Sequence, residues 1–214
     1  MKLFLLFTLF VFQSKIYSQI AKIELSERSN KKSVFITVEW ESGKTERYGA
    51  GCGFKDATEL NDSIKLSLVQ SLFTILNDTT YYYSSVKPLS YRYNGRHNRQ
   101  PKSTIYNIQV AALVLVNYIA FSSDAVNYSP FPVLINKKSK KEFTTTSKEL
   151  KAVIRDYHKW FKKIKQNGFK DYQLPLLNKK YEWYGSLYSK QRVFAKIPKW
   201  EKLYDCPILV NQED

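Results

Sequence analysis

The stretch that most constrains this chain is 146–167, TSKELKAVIRDYHKWFKKIKQN. Leu150, Val153, Ile154, Tyr157, Phe161 and Ile164 recur there at the 3.6-residue period, which predicts one apolar stripe on a long helix. Thr146 stands where an N-cap belongs, and Glu149 three residues on completes a capping box. Asn167-Gly168 ends the pattern, with Phe169 placed to pack back over the last turn.

Two further helices are predicted. Residues 60–76 carry Leu60, Ile64, Leu68, Leu72 and Ile75 at helical spacing, with Asp56 and Glu59 as a capping pair. Residues 104–121, TIYNIQVAALVLVNYIAF, read as a central helix that is apolar on nearly all sides and capped by Ser103. Their β-branched residues leave a buried strand pair as the alternative. Ahead of these, 33–40 alternates apolar and polar, 41–44 reads as a turn and 45–48 as a return strand, a small N-terminal hairpin. Residues 20–25 have room for one short strand more. Gly49, Gly51 and Gly53 lack the lysine and hydroxyl of a phosphate loop and read as a flexible connector. The fold expected from these signals is mainly α, built of irregular stacked helical hairpins, with a small N-terminal β-hairpin.

In that organisation the chain resembles HEAT-like α-solenoid proteins over residues 56–168. The phrases IQVAALVLVNYI and SKELKAVIRDYHKWFKK carry the resemblance. It implies an extended core shared by neighbouring helix pairs and a surface used to bind another protein.

The first residues follow a separate logic. Lys2 precedes the ten-residue apolar run LFLLFTLFVF, then Gln13, Ser14 and Lys15, the order of a secretory signal peptide. Such a run is too short for a bilayer of about 30 Å. Cleavage is expected after Ser18, with a cut after Ala21 as the alternative, so residues 19–214 form a single exported domain, periplasmic or secreted. No stable membrane span is expected inside it, because the wholly apolar part of 104–121 covers only 110–116. In an oxidising compartment Cys52 and Cys206 are expected to form a disulfide. With two histidines far from either cysteine, no metal set is expected, and no cofactor motif is present.

Loss of Lys2 and Lys15 with the leader lowers the formal charge from +15 to +13, a surplus that favours acidic partners. Export argues against nucleic acid, leaving an acidic protein or an anionic glycan. Lys151, Arg155, Lys159 and Lys162 fall on the face of 146–167 opposite the apolar stripe. Tyr83, Arg92, Arg96, His97 and Arg99 belong to a tyrosine- and arginine-rich stretch, 81–100, of the composition found at interface centres. Of residues 81–83, at least one ring is expected to reach solvent. No nucleophile and base pair, HExxH or GxSxG is present. The reading is an exported, non-enzymatic recognition protein, an adaptor, inhibitor or immunity-type binder. Its alternative is a cell-wall or glycan-processing enzyme with a cleft lined by the same aromatic stretch.

Overall fold

The computed structural model describes residues 20–50, 57, 59–89, 100–169, 174–177 and 179–188. The first three elements, β1 (Ile20–Arg28), β2 (Lys31–Glu39) and β3 (Thr45–Gly49), form an antiparallel meander in that order. Only Ser29 and Asn30 separate β1 from β2, at φ 52° and 61°. Two consecutive positive φ values match the twist of a two-residue hairpin. Val34, Ile36 and Val38 point from β2 into the core and are fully buried.

Residues 81–83 continue this sheet beyond the end of β3. Lys32 N–H donates to the Tyr81 carbonyl at 3.0 Å, and Tyr83 N–H donates to the Lys32 carbonyl at 2.9 Å. On the other side Tyr82 N–H donates to the Tyr106 carbonyl at 2.8 Å. The period of two sends Tyr82 inward, where its ring lies 4.9 Å from that of Tyr106. Tyr81 and Tyr83 point outward and stay about half exposed. The expectation that three adjacent rings cannot all turn inward therefore holds. A Cβ at Gly49 would sit 3.3 Å from the Tyr82 hydroxyl oxygen, so a larger residue there would require that ring to shift by a few tenths of an ångström.

Helix α1 (Asp62–Thr74) is capped by Asn61, whose side-chain oxygen accepts from Ile64 N–H. Helix α2 (Ile108–Phe121) is buried along its whole length, as its composition predicts. Its cap is Asn107 rather than Ser103, and residues 104–107 are not helical. Asn107 pairs across with Tyr81 instead. A 3-10 turn, Ser122–Asp124, and the one-turn helix α3 (Ala125–Tyr128) follow. Helix α4 (Lys148–Asn167) is capped by Ser147, one residue after the expected Thr146, and stops at Gly168 with φ 75°. Phe73 of α1 stacks edge-on against Phe161 at 5.0 Å, and Lys165 reaches Gln70, so α1 and α4 lie side by side.

A second antiparallel sheet has the order β5-β4-β6, from β4 (Leu134–Asn136), β5 (Glu142–Phe143) and β6 (Tyr181–Trp183). It corrects two expectations. The fold is mixed α/β, with two separate three-stranded sheets, and is not mainly α with one hairpin. Those sheets also exclude a HEAT-like α-solenoid, in which helix pairs alone share the core. Strands of two or three residues are too short to show a period in sequence, and their pairing is long-range. The expected disulfide does not stand either. None is formed among the described residues, and Cys52 and Cys206 lie outside them, as does the leader.

The polar side chains of α2 are met by partners from three other segments. Gln109 accepts from Asn107 at 2.9 Å and from the Thr146 hydroxyl at 3.0 Å, and donates to the Leu76 carbonyl at 2.5 Å. Lower down, the Tyr157 hydroxyl of α4 donates to Asn117 Oδ1 at 2.8 Å and accepts from the indole of Trp183 at 2.9 Å. All three of these residues are fully buried. Tyr157→Phe strips a buried acceptor and a buried donor of their partner at once. It is expected to lower unfolding stability by ~1–3 kcal/mol in a denaturant titration, against ~1 kcal/mol for the cap variant Ser147→Ala.

Candidate functional site

Helix α4 divides its side chains sharply. Leu150, Val153, Tyr157, Trp160, Phe161 and Ile164 are buried, which adds Trp160 to the predicted stripe, while Ile154 is only partly covered. Lys151, Arg155, Lys159 and Lys162 are all exposed on the other side, accompanied by Lys148, Lys163 and Lys165. None of the four predicted cations forms an ion pair among the described residues. The acid nearest to them in sequence, Asp156, is held by Lys179 at 3.4 Å instead. Like charges four residues apart on one helix repel by ~0.2–0.5 kcal/mol per pair. The face therefore carries a small destabilisation that no ion pair with a carboxylate relieves among the described residues. His158 lies at the edge of the stripe with its ring 4.5 Å from Phe73, a boundary position as its place in the sequence suggests.

Tyr83 is not brought into this surface. Its ring packs 5.2 Å from Tyr82 on the N-terminal ladder, and no contact joins it to α4 among the described residues. It shares the outer side of that ladder with Tyr81 and Ile105, each about half exposed. Arg92, Arg96, His97 and Arg99 lie outside the described residues.

One ionisable group escaped the sequence reading. Glu46 stands opposite Val38 on the core side of β3 and is 7% exposed. Its carboxylate accepts from the Trp40 indole at 2.7 Å, from the Tyr48 hydroxyl and from the Lys44 ammonium. Burial pushes this carboxyl up, but the bonds from Lys44, Tyr48 and Trp40 together outweigh it and hold it below the ordinary glutamate value. Such a group holds no proton near neutrality and has its lone pairs engaged, so it fits a structural anchor better than a general acid. The clue in sequence was parity, since Glu46 and Tyr48 are two apart on an alternating strand.

The buried hydroxyls are equally unsuited to proton transfer. Burial raises Tyr82, Tyr106, Tyr118, Tyr128 and Tyr157 well above the usual phenol range, keeping them protonated. Among the described residues, no cluster of three His, Cys, Asp or Glu side chains could hold a metal ion. Nor is any described helix long and apolar enough to cross a membrane. No family model, curated protein or solved structure matches the chain.

The lowered Glu46 carboxyl has a consequence for acid stability. Its contribution is full above the unfolded-state value of about 4.3 and is lost as the pH falls through the lower folded value. Glu46→Gln should remove that part of the acid dependence. A pH series of thermal melts would then show the variant's deficit at pH 7 shrinking on the acid side of pH 4.

Proposed function

We propose that this chain is an exported, non-enzymatic recognition protein that binds an acidic protein through the cationic face of α4. The observation that carries the reading is the division of that helix. One side supplies much of the core, while the other presents Lys151, Arg155, Lys159 and Lys162 exposed and without acidic partners among the described residues. An interface of clustered, unpaired cations steers an acidic partner and raises the rate of encounter. The formal charge of +13 left once Lys2 and Lys15 go with the leader acts in the same direction. A rigid helix anchored by six buried side chains also holds the cations at fixed spacing, so little order must be bought on binding.

Export fits the start of the fold. Ile20 and Ala21 already pair with Glu39 and Val38, so cleavage after Ser18 leaves β1 whole. A cut after Ala21 would remove two of its positions. Intact-mass measurement on protein from its native compartment is expected to give a chain beginning at Gln19, and retention of Met1 would remove the leader from this reading.

Binding is read with an acidic polypeptide, polyglutamate, as probe. Reversing Arg155 and Lys159 to Glu should weaken its binding by about tenfold or more. The same reversal at two exposed lysines elsewhere, Lys87 and Lys102, serves as the control for net charge. Thermal stability should stay within ~1 kcal/mol in both, since all four side chains are on the surface. Equal losses in the two pairs would mean that overall charge, and not α4, makes the contact. A sulfated glycan run in parallel separates a polypeptide preference from general attraction to anions.

A further inference from the structure

Strand β1 is the open edge of the N-terminal sheet. Among the described residues the order β1-β2-β3 leaves one side of it unpaired, and its backbone groups bond to β2 and to nothing else. An unpaired row of N–H and C=O groups is a template for another strand. Of the large apolar side chains left exposed among the described residues, two lie on this strand, Ile20 at 55% and Leu25 at 49%. The remaining candidates, Tyr81, Tyr83 and Ile105, lie on the ladder of residues 81–83 and 105–107 rather than on this free edge.

The charges along β1 decide what can pair with it. Edge strands are commonly protected by charges that repel another copy in every alignment. On β1 the signs differ, with Lys22 and Glu24 on one face and Glu27 on the other. Two copies running antiparallel about a two-fold axis must place one residue opposite itself, because directly opposed residues share a face. Centring on Lys22 opposes two lysines, and centring on Glu24 opposes two glutamates. Centring on Leu25 opposes Ile23 with Glu27, an apolar side chain with a charge. With Ile23 at the centre, Lys22 meets Glu24 twice, Ala21 meets Leu25 twice, and Ile20 meets Ser26 twice. Of all alignments that place one residue opposite itself, only the one centred on Ile23 sets Lys22 opposite Glu24, and it covers the exposed Leu25 with apolar neighbours.

We propose that β1 pairs with β1 of a second copy of this chain, antiparallel and centred on Ile23, joining two three-stranded sheets into one. Opposite charges facing each other across strands attract, and like charges repel, so Lys22 and Glu24 select the alignment. The surface is separate from the cationic face of α4, and either reading stands or falls alone.

Sedimentation equilibrium of the full chain over a wide concentration range tests this directly. The wild type is expected to dimerise reversibly. Lys22→Glu and Glu24→Lys should each weaken the dimer by about tenfold or more, because symmetry replaces two attractive pairs by two repulsive ones. An equimolar mixture of the two single variants should recover association, since each then faces its opposite. Arg155→Glu should leave the dimer unchanged. A wild type that stays monomeric throughout would overturn the proposal. So would a dimer indifferent to both single variants, or a mixture that fails to recover, since the alignment would then not be the one centred on Ile23.

Discussion

A helix buried on every side must find partners for each polar group it carries, and this condition governs the architecture. In α2 and its cap the groups are Asn107, Gln109, Asn117 and Tyr118. Asn107 caps the helix, Gln109 binds the chain after α1 and the approach to α4, and Asn117 is reached by Tyr157, itself bonded to Trp183. An unmet buried group costs ~1–3 kcal/mol, comparable with a large part of the margin that keeps a domain folded. The partners come from α4 and β6, so these elements are placed by hydrogen bonding as well as by apolar contact. Among the described residues Asn117 Nδ2 has no hydrogen-bond partner, nor do Tyr118 Oη and Trp160 Nε1. Even a well-supplied core leaves a few donors unmet.

Local pattern made much of this legible. The long helix was readable because six apolar residues and a glycine stop agree with each other, and its cap was missed by only one residue. Thr146 and Ser147 are equivalent as caps, and the choice falls to tertiary contact, since Thr146 bonds Gln109. A similar competition displaced Ser103, whose hydroxyl donates to Glu142 at 2.8 Å while residues 104–107 stay outside the helix. The β2–β3 hairpin was visible by alternation. The β1–β2 turn was not, because Ser29-Asn30 lacks the glycine that usually marks two positive φ values. The second sheet left no trace, and three periodic helices without it look like a stack. Helical period reports which side of a helix is buried, and says nothing of whether a helix or a sheet covers it.

The candidate surface was legible for a different reason. Exposure of Lys151, Arg155, Lys159 and Lys162 follows from the helix period alone, so it survives the error in fold class. Tyr83 was readable as a residue near the surface but not as a neighbour of those cations, since that depends on how ladder and helix are arranged. Glu46 was hidden because a lone glutamate in a strand is usually solvated. Only its pairing with Trp40, Tyr48 and Lys44 makes its burial affordable.

The place of Trp183 in the chain bears on how the protein is made. Asn117 and Tyr157 have both left the ribosome well before the strand that carries their indole partner, and β6 pairs with a strand laid down some fifty residues earlier. During synthesis the core can gather its apolar side chains but not complete its innermost polar contacts. Without β6 the Tyr157 hydroxyl still has Asn117 to donate to, but it lacks the indole from which it accepts.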